Sequence, residues 1–90
     1  MNPKPKTFRS KKYLDHVRSL PCVVCGAKSE AHHFGGGGMG LKGPDTYAIS
    51  LCHKHHMEHH QIGTLTFQKK YNIDRWQVIA ETLAKYVEDL

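Results

Sequence analysis

Apolar positions along the chain fall into helical spacing at both ends and into short, β-rich runs between them. Tyr13, Leu14, Val17 and Leu20 recur at helical intervals behind a potential capping Ser10, and Pro21 stops the run, so the spacing predicts a short amphipathic helix over 10–19. Residues 29–34 and 46–51 have the β-branched and aromatic content of two short strands, joined into a hairpin by a long connection. A helix follows from Cys52 to a stop at Gly63, and a second short one over 64–71 carries Leu65, Phe67 and Tyr71 before a turn at Asn72. Asp74 can cap the last helix, in which Trp76, Ile79, Ala80, Leu83, Ala84 and Val87 form one stripe. That stripe is expected to face the core, with packing between copies as its other use.

The fold class that follows is α+β, in a single domain over 13–90 preceded by a basic arm, expected to be flexible, over 1–12. Ninety residues support only a marginal hydrophobic core, so a bound metal would supply stability that burial cannot. Three cysteines are an odd number, which argues against a closed disulfide framework and for a reducing, cytoplasmic compartment. The basic first dozen residues hold no apolar core of an export leader, and no stretch is long enough to span a membrane. The net charge of +5 is concentrated at the start: Lys4, Lys6, Arg9, Lys11 and Lys12 precede any acid. Such an arm suits contact with a phosphate backbone through counterion release, or serves as a solubilising terminus.

Five of the eight histidines crowd into 51–60 together with Cys52. Cys22 and Cys25, separated by two residues and followed by Gly26, have the form of a zinc knuckle. Cys52 and His55 repeat the two-residue gap, and the four together suit a closed tetrahedral zinc site that stabilises the fold. His59 is the competing fourth ligand. A second set comprises Glu30, His32, His33, His56 and His60; His56 lies about 100° around a helix from His55 and so faces elsewhere. Each of these histidines alone would be an ordinary surface group, the class in which His16 and His53 remain, but four at matching spacings point to a second site. The glycine-rich stretch 35–40 is either a flap or a linker, and it lacks the Gly-Lys-Ser/Thr ending of a nucleotide-binding loop.

Cys-x2-Cys, then Glu-x-His-His, then Leu-Cys-x2-His-His-x3-His resembles the HNH endonucleases, also called the ββα-metal or His-Me finger family. The likeness is greatest to a phage-associated, recombination-linked group similar to the Ref nuclease. It covers 22–60, with weaker likeness over 14–21. The resemblance implies a small, treble-clef-like ββα-metal core with an N-terminal helix and C-terminal helices. It also implies hydrolysis of DNA phosphodiester bonds, with little sequence specificity, to a 5′-phosphate and a 3′-hydroxyl. On that likeness His33 is the general base, and His32, His56 and His60 hold a catalytic Mg²⁺, Mn²⁺, Ni²⁺ or Zn²⁺. Glu30 orients a histidine. Where the family usually carries an asparagine this chain has Asp45, placed to orient the base or bind metal. His32 and His33, adjacent on one strand, can serve one site only if the strand bends or ends there. Lys11, Lys12, Lys42, Lys69, Lys70 and Arg75 are the candidate backbone contacts to DNA, and a recombination protein is the other expected partner. The rival from another class is a non-catalytic zinc-binding adaptor for DNA or a recombination protein, which has use for the cysteine set alone. A metal store built on the histidines would not explain the cysteine spacing.

Overall fold

The computed structural model describes residues 8–34 and 43–90. Helix α1 (Lys11–Ser19) leads into strand β1 (Glu30–His33), a single 3-10 turn (Asp45–Tyr47) and strand β2 (Ala48–Leu51). Helices α2 (His53–Ile62), α3 (Thr64–Tyr71) and α4 (Arg75–Glu88) complete an α+β fold with one two-stranded sheet and four helices. The glycine-rich stretch 35–40 and Lys42 lie outside the described residues.

Each boundary has a local cause. Ser10 Oγ accepts the Tyr13 amide at 3.1 Å and starts α1. Asp74 does the same for the Gln77 amide at 2.9 Å and starts α4. Gly63 separates α2 from α3 at φ +83°, and Asn72 closes α3 in the left-handed region at φ +52°. The expected arm does not run to residue 12: Lys11 and Lys12 belong to α1, and the backbone of Phe8 and Ser10 bonds to Asp45. Residues 1–7 lie outside the described residues.

The strands pair antiparallel, with Glu30 opposite Leu51 and His33 opposite Ala48. All four residues of β2 are buried, and alternation divides them between two neighbours. Ile49 and Leu51 join Phe34, Phe67 and Ile79 in the larger core cluster. Ala48, on the other face, packs with Tyr13 and Val17 of α1. Ser50 shares Ala48's face and satisfies its hydroxyl by donating to Pro21 O at 2.8 Å. Small side chains at both positions let α1 and the approach to Cys22 come close.

The apolar stripe expected to bury α4 is corrected by the structure. Trp76, Leu83 and Val87 are 52%, 36% and 59% exposed, and Ala80 and Ala84 are exposed too. Of that stripe Ile79 is buried as expected, and the inward face is completed by Val78, Thr82 and Tyr86. Thr82 can be buried because its hydroxyl donates to Val78 O at 2.8 Å within the same helix, a satisfaction invisible to a hydrophobicity pattern. Phe67→Ala is therefore expected to cost about 3–5 kcal/mol in urea denaturation, whereas Val87→Ala stays within about 0.5 kcal/mol of wild type, as surface changes do.

Candidate metal centre

Two groups of ligand atoms converge on the sheet and α2. Cys22 and Cys25 lie in a tight turn in which the Gly26 amide donates to Cys22 O and the Cys22 amide to Ala27 O, both at 2.8 Å. Gly26 sits at φ +77°, a conformation that side chains resist. This turn faces the start of α2, so that Cys22, Cys25, Cys52 and His55 present ligand atoms within 4.8 Å of one another and could hold a metal ion. Cys25 Sγ is 3.7 Å from Cys52 Sγ, and His55 Nδ1 is 3.1 Å from Cys52 Sγ and 3.7 Å from Cys22 Sγ. All three cysteines are free thiols. Burial raises the Cys22 thiol, but the amides of Cys52, Cys25 and Val24 and the His55 ring outweigh it and bring the thiol down to about 6. Of the two candidates for the fourth position, His55 is the one at the cysteines.

His59 lies elsewhere, beside the second group. His32, His56 and His60 bring ring nitrogens within 4.8 Å of one another, graded from buried His32 through half-buried His56 to exposed His60. Ring centroids are 4.1 Å apart for His32 and His56 and 5.0 Å for each other pair. His56 Nδ1 donates to Glu30 Oε1 at 2.8 Å, which leaves Nε2 for a ligand. That hydrogen bond is the main cause holding the Glu30 carboxyl below its usual range. Burial, with the neighbouring imidazoles adding to it, pushes His32 down to about 3, so it is neutral at physiological pH and keeps a lone pair for a metal. The exposed His60 side leaves this group open to solvent, whereas the cysteine set has three buried members and one exposed, Cys25.

His33 is the last residue of β1, still paired with Ala48 as His32 is with Ile49, and it is in neither ligand set. Its Nε2 lies 2.8 Å from Asp45 Oδ1; a carboxylate only accepts, so Nε2 carries the proton and Nδ1 is the basic nitrogen. Asp45 is buried in the 3-10 turn and held by the Ser10 amide on Oδ2 at 2.7 Å and by Arg9 on Oδ1 at 3.1 Å. Arg9 also donates to Gly43 O at 2.6 Å. Burial alone would raise the Asp45 carboxyl, but the bonds from His33, Ser10 and Arg9 outweigh it and hold it below its ordinary value. Of the two roles open to Asp45, its contacts are those of an orienting group, and it is in neither ligand set.

The expected DNA contacts are spread over three helices: Lys11 and Lys12 on α1, Lys69 and Lys70 on α3, and Arg75 on α4. Lys70 is engaged by Glu58, which also accepts from the Tyr71 hydroxyl. Arg75 lies over the Trp76 ring at 4.2 Å. Sequence reading missed the roles of Arg9 and Ser10 at Asp45 and the pairing of His59 with His32; the i, i+3 relation of His59 to His56 was the available signal for the latter.

A family model described as "Protein of unknown function (DUF968)" matches residues 1–87. The chain is also similar to the uncharacterized protein YdfU of Escherichia coli strain K12, 40% identical over 73 residues. That alignment takes in 77% of this chain but only 21% of the relative, so the chain spans about a fifth of YdfU's length. No solved structure matches the chain.

Two outcomes are expected. Cys52→Ser should lose one metal per chain by elemental analysis, and either that variant or a strong chelator should lower the melting temperature by circular dichroism, because the ligands converge only in the folded state. Asp45 stabilises the fold above the ordinary carboxylate pKa of about 3.9, and its contribution is lost as pH falls through the lowered folded value. Asp45→Asn should flatten the acid limb of stability against pH below about pH 4, read as the urea midpoint.

Proposed function

We propose that this chain, which belongs to the DUF968 family, is a metal-dependent endonuclease of the ββα-metal (HNH) type acting on DNA. The observation that carries the reading is the His33–Asp45 pair at the end of β1, one residue from His32 of the open histidine group. The β1–β2 hairpin and α2 would be the ββα core, and the cysteine turn against α2 the treble-clef-like part. Two sulfurs on a tetrahedral zinc lie about 3.8 Å apart, given bonds of about 2.3 Å. The 3.7 Å between Cys25 and Cys52 fits, so Cys22, Cys25, Cys52 and His55 are assigned a structural zinc.

His33 Nδ1 accepts a proton from the attacking water while Asp45 keeps Nε2–H in place and faces the imidazolium that results. A divalent ion held by His32, His56 and His60 would polarise the scissile phosphate and stabilise the leaving 3′-oxygen. Three imidazoles favour a borderline ion such as Zn²⁺ or Ni²⁺, whereas Mg²⁺ prefers oxygen ligands. Exposed Lys11, Lys12 and Lys69 offer sequence-independent phosphate contacts. Lys70 contributes less, since Glu58 already balances its charge.

In plasmid nicking with Mg²⁺, Mn²⁺, Ni²⁺ and Zn²⁺ in turn, His33→Ala should lower the rate by about 10²–10⁴-fold, the usual worth of a general base. Its fold and metal content should match wild type. Cleavage by that variant at the normal rate overturns the assignment, and a wild type that binds one zinc and nicks with no ion is the adaptor instead.

A further inference from the structure

His59 belongs to neither ligand group, yet it is more enclosed than two of the three histidines that form the open one. It is 7% exposed, with ring centroids 4.7 Å from Phe34 and 5.4 Å from Phe67. Both its nitrogens have partners. Nδ1 lies 2.5 Å from His32 Nε2, and Nε2 lies 2.9 Å from the hydroxyl of Thr64, the first residue of α3. A buried imidazole spending both nitrogens on polar neighbours, inside an otherwise apolar box, is a costly way to fill space unless the hydrogen bonds matter.

The proton arrangement along this row has two forms. In one, His32 Nε2–H donates to His59 Nδ1, and His59 Nε2–H donates to Thr64 Oγ1. In the other, Thr64 donates to His59 Nε2, and His59 Nδ1–H donates to His32 Nε2, which puts the remaining His32 proton on Nδ1. Only the first leaves His32 with a lone pair outside the row. Since Nε2 of His32 is occupied by His59 in either form, Nδ1 is the nitrogen it can offer to a metal.

We infer that His59 and Thr64 are positioning residues that hold His32 in its Nε2-protonated tautomer, turning Nδ1 to the ion bound with His56 and His60. The inference rests on the open histidine group binding metal, as proposed above. Glu30 does the corresponding work for His56 through His56 Nδ1, so the two inner ligands are locked from opposite ends of their rings. The exposed His60 is the ligand left to adjust.

The test starts from protein holding one zinc per chain, in the cysteine set, and titrates Co²⁺ into the second site, reading affinity from the visible absorption of the bound ion. His59→Ala should weaken that affinity about 10–100-fold, the cost of losing such a partner, while one zinc per chain is retained. His59→Asn, whose carbonyl can accept from His32, should restore most of it. His59→Phe should restore stability within the Phe34–Phe67 box but leave Co²⁺ affinity as weak as His59→Ala. Thr64→Val should weaken binding less than either, and Thr64→Ser should bind as wild type. Long-range ¹H–¹⁵N spectra of the fully zinc-loaded protein should show His32 protonated on Nε2. Recovery of affinity by Phe rather than Asn, wild-type affinity in His59→Ala, or a His32 protonated on Nδ1 overturns the relay. A wild type that takes up no second metal overturns the open site itself; cleavage has no part in these readouts, so loss of nuclease activity alone leaves the relay standing.

Discussion

The convergence of Cys22, Cys25, Cys52 and His55 is the constraint on which the remaining geometry depends. Cys52 immediately precedes α2 and His55 lies in its first turn, so the cysteine turn fixes both the start of that helix and its rotation. At about 100° per residue, rotation decides the destination of every other histidine on α2. His55 goes to the cysteines, His56 and His60 to the open group and His59 to the apolar box. A helix free to turn by one residue would exchange these destinations.

Around that constraint the core is modest. Phe34, Ile49, Leu51, Phe67 and Ile79, with the two buried cysteines, make up the larger cluster, and Tyr13, Val17 and Ala48 the smaller. A chain of this size has little apolar surface with which to enforce the position of a polar site. Position is instead enforced by donors and acceptors: Glu30 on His56, Asp45 on His33, and Thr64 and His59 on His32. In each of these contacts a donor meets an acceptor and fixes one nitrogen of the ring, leaving the other for chemistry.

Much of this was legible in the sequence because it is written in spacing. The two-residue gaps in Cys22–Cys25 and Cys52–His55, the separation of His56 from His60, and the caps at Ser10 and Asp74 are local patterns with local physical causes. The choice between His55 and His59 was not local; it turned on which face of α2 meets the cysteine turn. Asp45 was readable as a polar candidate, but its clasp by Arg9 and Ser10 joins residues more than thirty positions apart. The face of α4 was misjudged in part because Thr82, polar by type, is buried and satisfied within its own helix, while Leu83 and Val87, apolar by type, are exposed. Hydrophobic pattern reports what a side chain is made of, not what surrounds it.

The clasp on Asp45 separates the lifetime of the His33–Asp45 pair from that of the fold. Phe8, Arg9 and Ser10 precede the first helix, and hydrogen bonds to Asp45 and Gly43 tie them to the 3-10 turn and its approach. Segments of this kind open at a fraction of the free energy needed to unfold a core. Each opening would uncover the buried carboxylate to water and leave its hold on His33 to a single hydrogen bond, with the sheet and the cysteine cluster intact. An opening of that edge would therefore loosen the orientation of His33 without unfolding the core.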